Sequence, residues 1–90
     1  MLVLPAELTH EHAAASCRML AQGLRTDPSQ SVVADAGALA NFDSSALAVL
    51  LDCRRESLAL GKTFSVKALS PRLRALASLY GVGELLPAAP

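Results

Sequence analysis

Residues 32–51 read Val-Val-Ala-Asp-Ala-Gly-Ala-Leu-Ala-Asn-Phe-Asp-Ser-Ser-Ala-Leu-Ala-Val-Leu-Leu, and this stretch decides the fold. Ser31-Val32-Val33-Ala34 is a compact apolar run rich in β-branched residues. It is long enough for a buried strand and too short for a helix, and it ends at Asp35. Asp43-Ser44-Ser45 then offers several capping oxygens directly before a long apolar segment. Leu47, Leu50, Leu51 and Leu58 mark one face of the helix that follows, out to about Leu60. Asp52, Arg54, Arg55 and Glu56 supply its wet side, while Ala46 to Leu51 is apolar all round and predicts cover on more than one side. Gly61 is the stop.

Working outward, Leu2-Val3-Leu4 reads as a short strand halted by Pro5, followed by Ala6-Glu7-Leu8. Thr9 is a good N-cap, Glu11 falls in the first turn where the helix dipole favours an acid, and Ala13, Cys17, Leu20 and Leu24 form an apolar stripe at helical period. Thr26-Asp27-Pro28-Ser29-Gln30 ends that helix, since a residue before proline is biased away from α conformation. Beyond Gly61, the run Lys62 to Leu69 alternates, with Phe64, Val66 and Ala68 on one face and Thr63, Ser65 and Lys67 on the other. That predicts a strand with one wet face near a sheet edge. Ser70-Pro71 is an N-cap followed by proline at the first helical position; Leu73, Leu76, Ala77 and Tyr80 make the stripe and Gly81 closes it. The tail Leu85-Leu86-Pro87 reads as a docked end. Strand and helix alternate three times, which predicts one α/β domain over residues 1–90, a short mixed or parallel sheet with helices packed against it.

Composition narrows the function. The chain is 52% apolar and 18% charged, which is globular rather than disordered. Ninety residues bury only about 60% of the unfolded surface, so a partner or oligomer surface adds stability a chain this short lacks. Eight Lys+Arg balance eight Asp+Glu, removing the usual electrostatic warrant for nucleic acid or an anionic membrane. No uncharged run approaches the roughly 20 residues of a transmembrane helix, and no secretory leader is read at the start. Cys17 and Cys53, both among apolar neighbours, fit a reduced cytoplasmic protein with buried free thiols. The neutral total hides a polarity: residues 1–52 carry six acids and two bases, net −4, and residues 53–90 six bases and two acids, net +4.

Catalytic and cofactor signals fail one by one. Gly61-Lys62-Thr63 looks like the end of a phosphate-binding loop, but that loop needs glycine where Glu56 stands, and it must run from strand into helix. His10 and His12, two apart at a helix start, would point about 200° apart and could not face one metal. Glu7 and Glu11 carry no mark of an acid/base pair, and Ser44 lacks the flanking glycines of a nucleophile elbow. No cofactor is expected. Asp43-Ser44-Ser45 remains: hydroxyls at an exposed helix start can bond a partner, or accept a phosphate that the dipole favours. Plain capping by Asp43 or Ser44 accounts for the same residues.

Asp35, then Phe42-Asp43-Ser44-Ser45-Ala46-Leu47, then the helix, strand and Ser70-Pro71 helix, together resemble the STAS domain of sulfate transporters and anti-sigma-factor antagonists. Ala6-Glu7-Leu8-Thr9 is similar to the Gly-Glu-Leu-Asp that precedes the first helix of that family. Two features depart from it: Ala46 stands where glycine is usual, and the family's opening strand is missing or reduced to Met1 to Leu4. The second leaves a sheet edge open to pairing, including to a second copy. In the antagonist branch the serine after the Asp is phosphorylated by an anti-sigma kinase, and that position is Ser44. In the branch of the small cytoplasmic STAS subunit of the Mla phospholipid-transport ABC system, a Ser or Thr there helps dock the ATPase. The short chain, the leucine-rich helix after Ser44 and the Leu79-Tyr80-Gly81-Val82 close look more like the Mla branch. The resemblance implies a non-catalytic cytoplasmic module, peripheral to the inner membrane through its partner. Asp43, Ser44 and Ser45 would form its contact surface, Leu47 and Leu51 apolar anchors, and Arg54 and Arg55 a charged rim.

Overall fold

The computed structural model describes residues 2–89; Met1 and Pro90, the two ends of the expected domain, lie outside the described residues. The elements run β1 (Leu2–Val3), β2 (Glu7–Leu8), α1 (Ala13–Thr26), β3 (Ser31–Asp35), β4 (Asn41–Phe42), α2 (Ser45–Ala59), β5 (Thr63–Lys67), α3 (Pro71–Leu79) and a closing 3-10 turn at Gly83–Leu85. β1, β3 and β5 form a parallel sheet in that order, with Leu2 opposite Ala34, and Val32 and Ala34 opposite Phe64 and Val66. β2 and β4 make a separate parallel pair, Glu7 opposite Asn41 and Leu8 opposite Phe42.

The strand order advances in one direction, so right-handed crossovers set α1 and α2 on the same side of the sheet. Burial alternates accordingly. Val32, Ala34, Phe64 and Val66 are buried under the helices, while Ser31, Thr63 and Lys67 are exposed on the opposite face. Beyond β5 the chain advances once more through α3, whose Leu73 and Ala77 join the same core. The tail docks as expected: Leu86 is fully buried, the Val66 N–H donates to the Pro87 carbonyl at 2.8 Å, and the Ala89 N–H donates to Val66 at 2.9 Å. The predicted edge is real, since two-residue β1 ends the sheet and Val3 is 62% exposed.

The stop and start signals hold at α2 and α3. Gly61 and Gly81 both take φ of +73°, the left-handed conformation that suits glycine at a helix end. Ser70 Oγ accepts the Leu73 N–H at 3.2 Å with Pro71 in the first turn, as its sequence predicts. Four expectations need correction. α1 begins at Ala13 rather than after Thr9, because residues 10–12 form a separate turn in which the His12 N–H donates to the Thr9 carbonyl. Glu11 is therefore outside the helix. β5 ends at Lys67, and Ala68 turns out of the sheet at φ +59° and is exposed instead of facing inward. Leu58 and Tyr80 lie off their expected stripes, 49% and 59% exposed, with Ser57 and Ala77 taking the inward positions of those turns.

Lys62 disposes of the phosphate-loop resemblance. Its ammonium donates to the Leu24 carbonyl at 3.1 Å and to the Asp27 carbonyl, tying the carboxyl end of α1 to the start of β5. A cation at that end also complements the helix dipole.

Candidate functional site

α2 opens at the point where β4 hands the chain upward, and its first residues are held by Asp43. Asp43 Oδ1 accepts the Ser45 N–H at 2.8 Å, and Oδ2 accepts the His10 N–H at 3.0 Å. The two bonds stabilise the ionised carboxylate and hold its pKa below the ordinary value, the His10 bond contributing most. One side chain thus caps α2 and fastens the turn before α1 to it. Ser44 is freed by this arrangement: it takes helical backbone angles, φ −62° and ψ −17°, and its hydroxyl makes no cap bond. Ser44 is exposed, and Ser45 is half-buried beside it.

The expected contact residues divide by their angle around α2. Ser44, Ala48, Leu51 and Arg55 recur at four-, three- and four-residue steps and form one outward stripe. Ala48 and Arg55 are exposed on it and Leu51 half-buried. Leu47 is different. At 4% exposure it belongs to the core with Leu50 and Val49, so it offers a partner no surface, and of the two expected apolar anchors only Leu51 reaches the surface. Arg54 is half-buried on the flank. The Arg55 guanidinium donates to Asp52 Oδ1 at 2.7 Å, an exposed pair three residues apart that contributes little stability and part-neutralises the rim. Ala46, the departure from glycine, is fully buried, so its methyl fills the helix–sheet contact and does not obstruct the outer surface.

Two neighbours of the site were not found in the sequence. The Arg72 guanidinium sits 5.4 Å from the centroid of the Phe42 ring, placing a cation from α3 over the residue that precedes Asp43. Nothing local signals a contact between residues thirty apart. On the other side, a cleft of about 460 Å³ is lined by Glu7, Thr9, His10, Glu11, His12, Asn41 and Asp43. The two histidines line it together because they lie in the turn rather than on the helix, contrary to the divergent geometry expected of them. Among the described residues, no group of three or more His, Cys, Asp or Glu side chains is placed to hold a metal ion. No helix among the described residues is long and apolar enough to cross a membrane.

The result is a parallel α/β layer in which Asp43-Ser44-Ser45 opens the helix that follows β3 and β4. The family model described as "Mlab, STAS domain" matches residues 1–87. The chain belongs to the STAS domain family. In this STAS domain the first described strand spans only Leu2–Val3. No curated protein matches it.

Proposed function

We propose that this STAS domain is a non-catalytic docking subunit that binds and stabilises, or regulates, the cytoplasmic ATPase of an Mla-type phospholipid-transport ABC complex, and so helps maintain outer-membrane lipid asymmetry. The observation that carries the reading is the exposure of Ser44 at the start of a helix whose capping is done by its neighbour Asp43. A hydroxyl relieved of capping is left to bond another molecule. The description of the matching family model points to the same branch. The partner lies along the outward stripe: Ser44 makes the polar contact, Ala48 permits close approach, Leu51 is the apolar anchor and Arg55 sits at the rim. Ser45 is partly shielded and serves as a secondary contact. Binding favours one conformation of the ATPase and shifts its population. The domain reaches the inner membrane through that partner.

Ser44→Glu inserts a charge into a contact that must be desolvated, and it abolishes co-purification with the ATPase while leaving the domain folded. Full co-purification of the variant overturns the assignment. A second reading keeps the surface and changes the logic: an anti-sigma-factor antagonist switched by phosphorylation of Ser44. The accessible, uncapped hydroxyl favours it, and the Asp43 carboxylate beside it opposes added negative charge. Mass spectrometry after incubation with the cognate kinase separates the two, because only this reading requires a phosphate on Ser44.

A further inference from the structure

A trough of about 430 Å³ runs between α1 and α2, away from the cleft beside Asp43. The more deeply set lining is small and uncharged, Cys17 and Ala21 from α1 and Cys53 from α2, and the exposed lining carries Arg18, Gln22 and Arg25 from α1 and Arg55 from α2. Two acids share the lining, Asp52 and Glu56, but Asp52 is already engaged at both oxygens. Oδ1 accepts from Arg55 at 2.7 Å, and Oδ2 accepts the Cys17 thiol S–H at 3.3 Å. Among the described residues, no carboxylate is within ion-pair distance of Arg18 or Arg25. The lining is therefore net cationic, three guanidiniums against two carboxylates, with Arg18 and Arg25 two turns apart on one face of α1, about 10 Å along its axis.

We infer that this trough is a binding site for carboxylate side chains of an acidic protein segment. Guanidinium groups pair bidentately with carboxylates, and Arg rather than Lys on every wall suits that geometry. The trough lies along the carboxyl-terminal halves of both helices, where the backbone amides are committed to helical bonds, so no ring of N–H groups completes a phosphate cradle. The remaining Glu56 carboxylate also disfavours a dianion more than a single carboxylate. The identity of the occupant as a protein segment rests on the docking reading above. Arg55 closes the outward stripe that begins at Ser44, about 16 Å along α2, so a partner seated at Ser44 continues into the trough.

The test uses a blocked pentaglutamate peptide, with blocked pentalysine and inorganic phosphate as comparison arms, titrated into the ¹⁵N-labelled domain at low salt. Glutamate peptide is expected to shift the amides of residues 17–25 and 52–56 saturably, lysine peptide to leave them unmoved, and phosphate to shift them less at equal concentration. Arg18→Gln with Arg25→Gln, both exposed and so tolerated by the fold, weakens glutamate binding about tenfold, whereas Arg72→Gln with Arg74→Gln does not. Shifts centred on α3, an equal response to phosphate, or an unchanged affinity in the α1 variant overturn the inference. Ser44→Glu retains the peptide response, so failure of the Ser44 surface and failure of the trough are told apart.

Discussion

The inward and outward sides of α2 follow opposite rules. Inward, Ala46, Leu47, Val49, Leu50 and Cys53 are buried in one continuous core with β3 and β5, and even Ser57 satisfies itself by donating to the Cys53 carbonyl at 2.7 Å. Outward, Ser44, Ala48 and Arg55 are exposed, and what polar bonding exists there is local. The same fifteen-residue helix thus spends one arc on the core and leaves the other to solvent, where the proposed contact lies, so substitutions on the two arcs should move different measurements.

Leu50→Ala should show the largest effect. Removing a fully buried leucine costs about 2–5 kcal/mol, read as a lower urea midpoint; a loss below about 1 kcal/mol would show that the core collapses around the gap. Alkylation sharpens the contrast at the level of one atom. Burial pushes the Cys53 thiol up to about 12; burial, then the Asp52 bond, also raises that of Cys17, but Cys17 is only half-buried whereas Cys53 is 3% exposed. Iodoacetamide at pH 8 should therefore label Cys17 at least about tenfold faster than Cys53, monitored by peptide mass spectrometry, since a tenfold ratio needs only about 1.4 kcal/mol of difference. Comparable rates would mean that the α1–α2 contact opens readily. On the outward arc, Ser44→Glu and Ala48→Glu should each change stability by no more than about 0.5 kcal/mol, while Ser44→Glu removes docking. A large stability loss from either would place that arc inside the fold.

The smallest effect is a pH dependence. Asp43 has its pKa lowered in the folded state by accepting the His10 and Ser45 N–H groups. Its contribution is therefore fully present above the ordinary carboxylate pKa of about 4 and is lost as pH falls through the lower folded value. Asp43→Asn, whose amide oxygen can accept one of the two bonds, should show a shallower acid-induced decline in urea midpoint than the parent chain between neutral pH and pH 3. Identical slopes would mean that the carboxylate does not fasten the two elements.

Much of this architecture is legible in the residues because its signals are local. Strand β3, helix α2 with its stop at Gly61, and the Ser70-Pro71 opening of α3 each rest on a short stretch whose period and caps agree. β2 and β4 escape for the opposite reason: two residues define no period, and their pairing joins positions 34 apart. α1 starts late because residues 10–12 make a separate turn closed by the His12 N–H on the Thr9 carbonyl, and the same turn is tied to Asp43 across 33 residues, a contact no local rule registers. At the candidate site, Asp43-Ser44-Ser45 is visible as a capping cluster, but only coordinates divide the labour, giving the cap to Asp43 and exposure to Ser44. Leu47 and Leu51 look equivalent on a list of apolar residues; about 40° of helix rotation separates core from surface between them. The Arg72–Phe42 contact and the arginine-walled trough have no motif, since each is assembled from distant segments.

The one-directional winding of the sheet has a consequence for how this sequence drifts over generations. With all helices on one side, alternate residues of β3 and β5 meet solvent, as Ser31, Thr63 and Lys67 do, and polar replacements there cost the molecule little. Only every second strand position is then held to a narrow vocabulary, and most of the inherited signature must reside in the helix starts and turns.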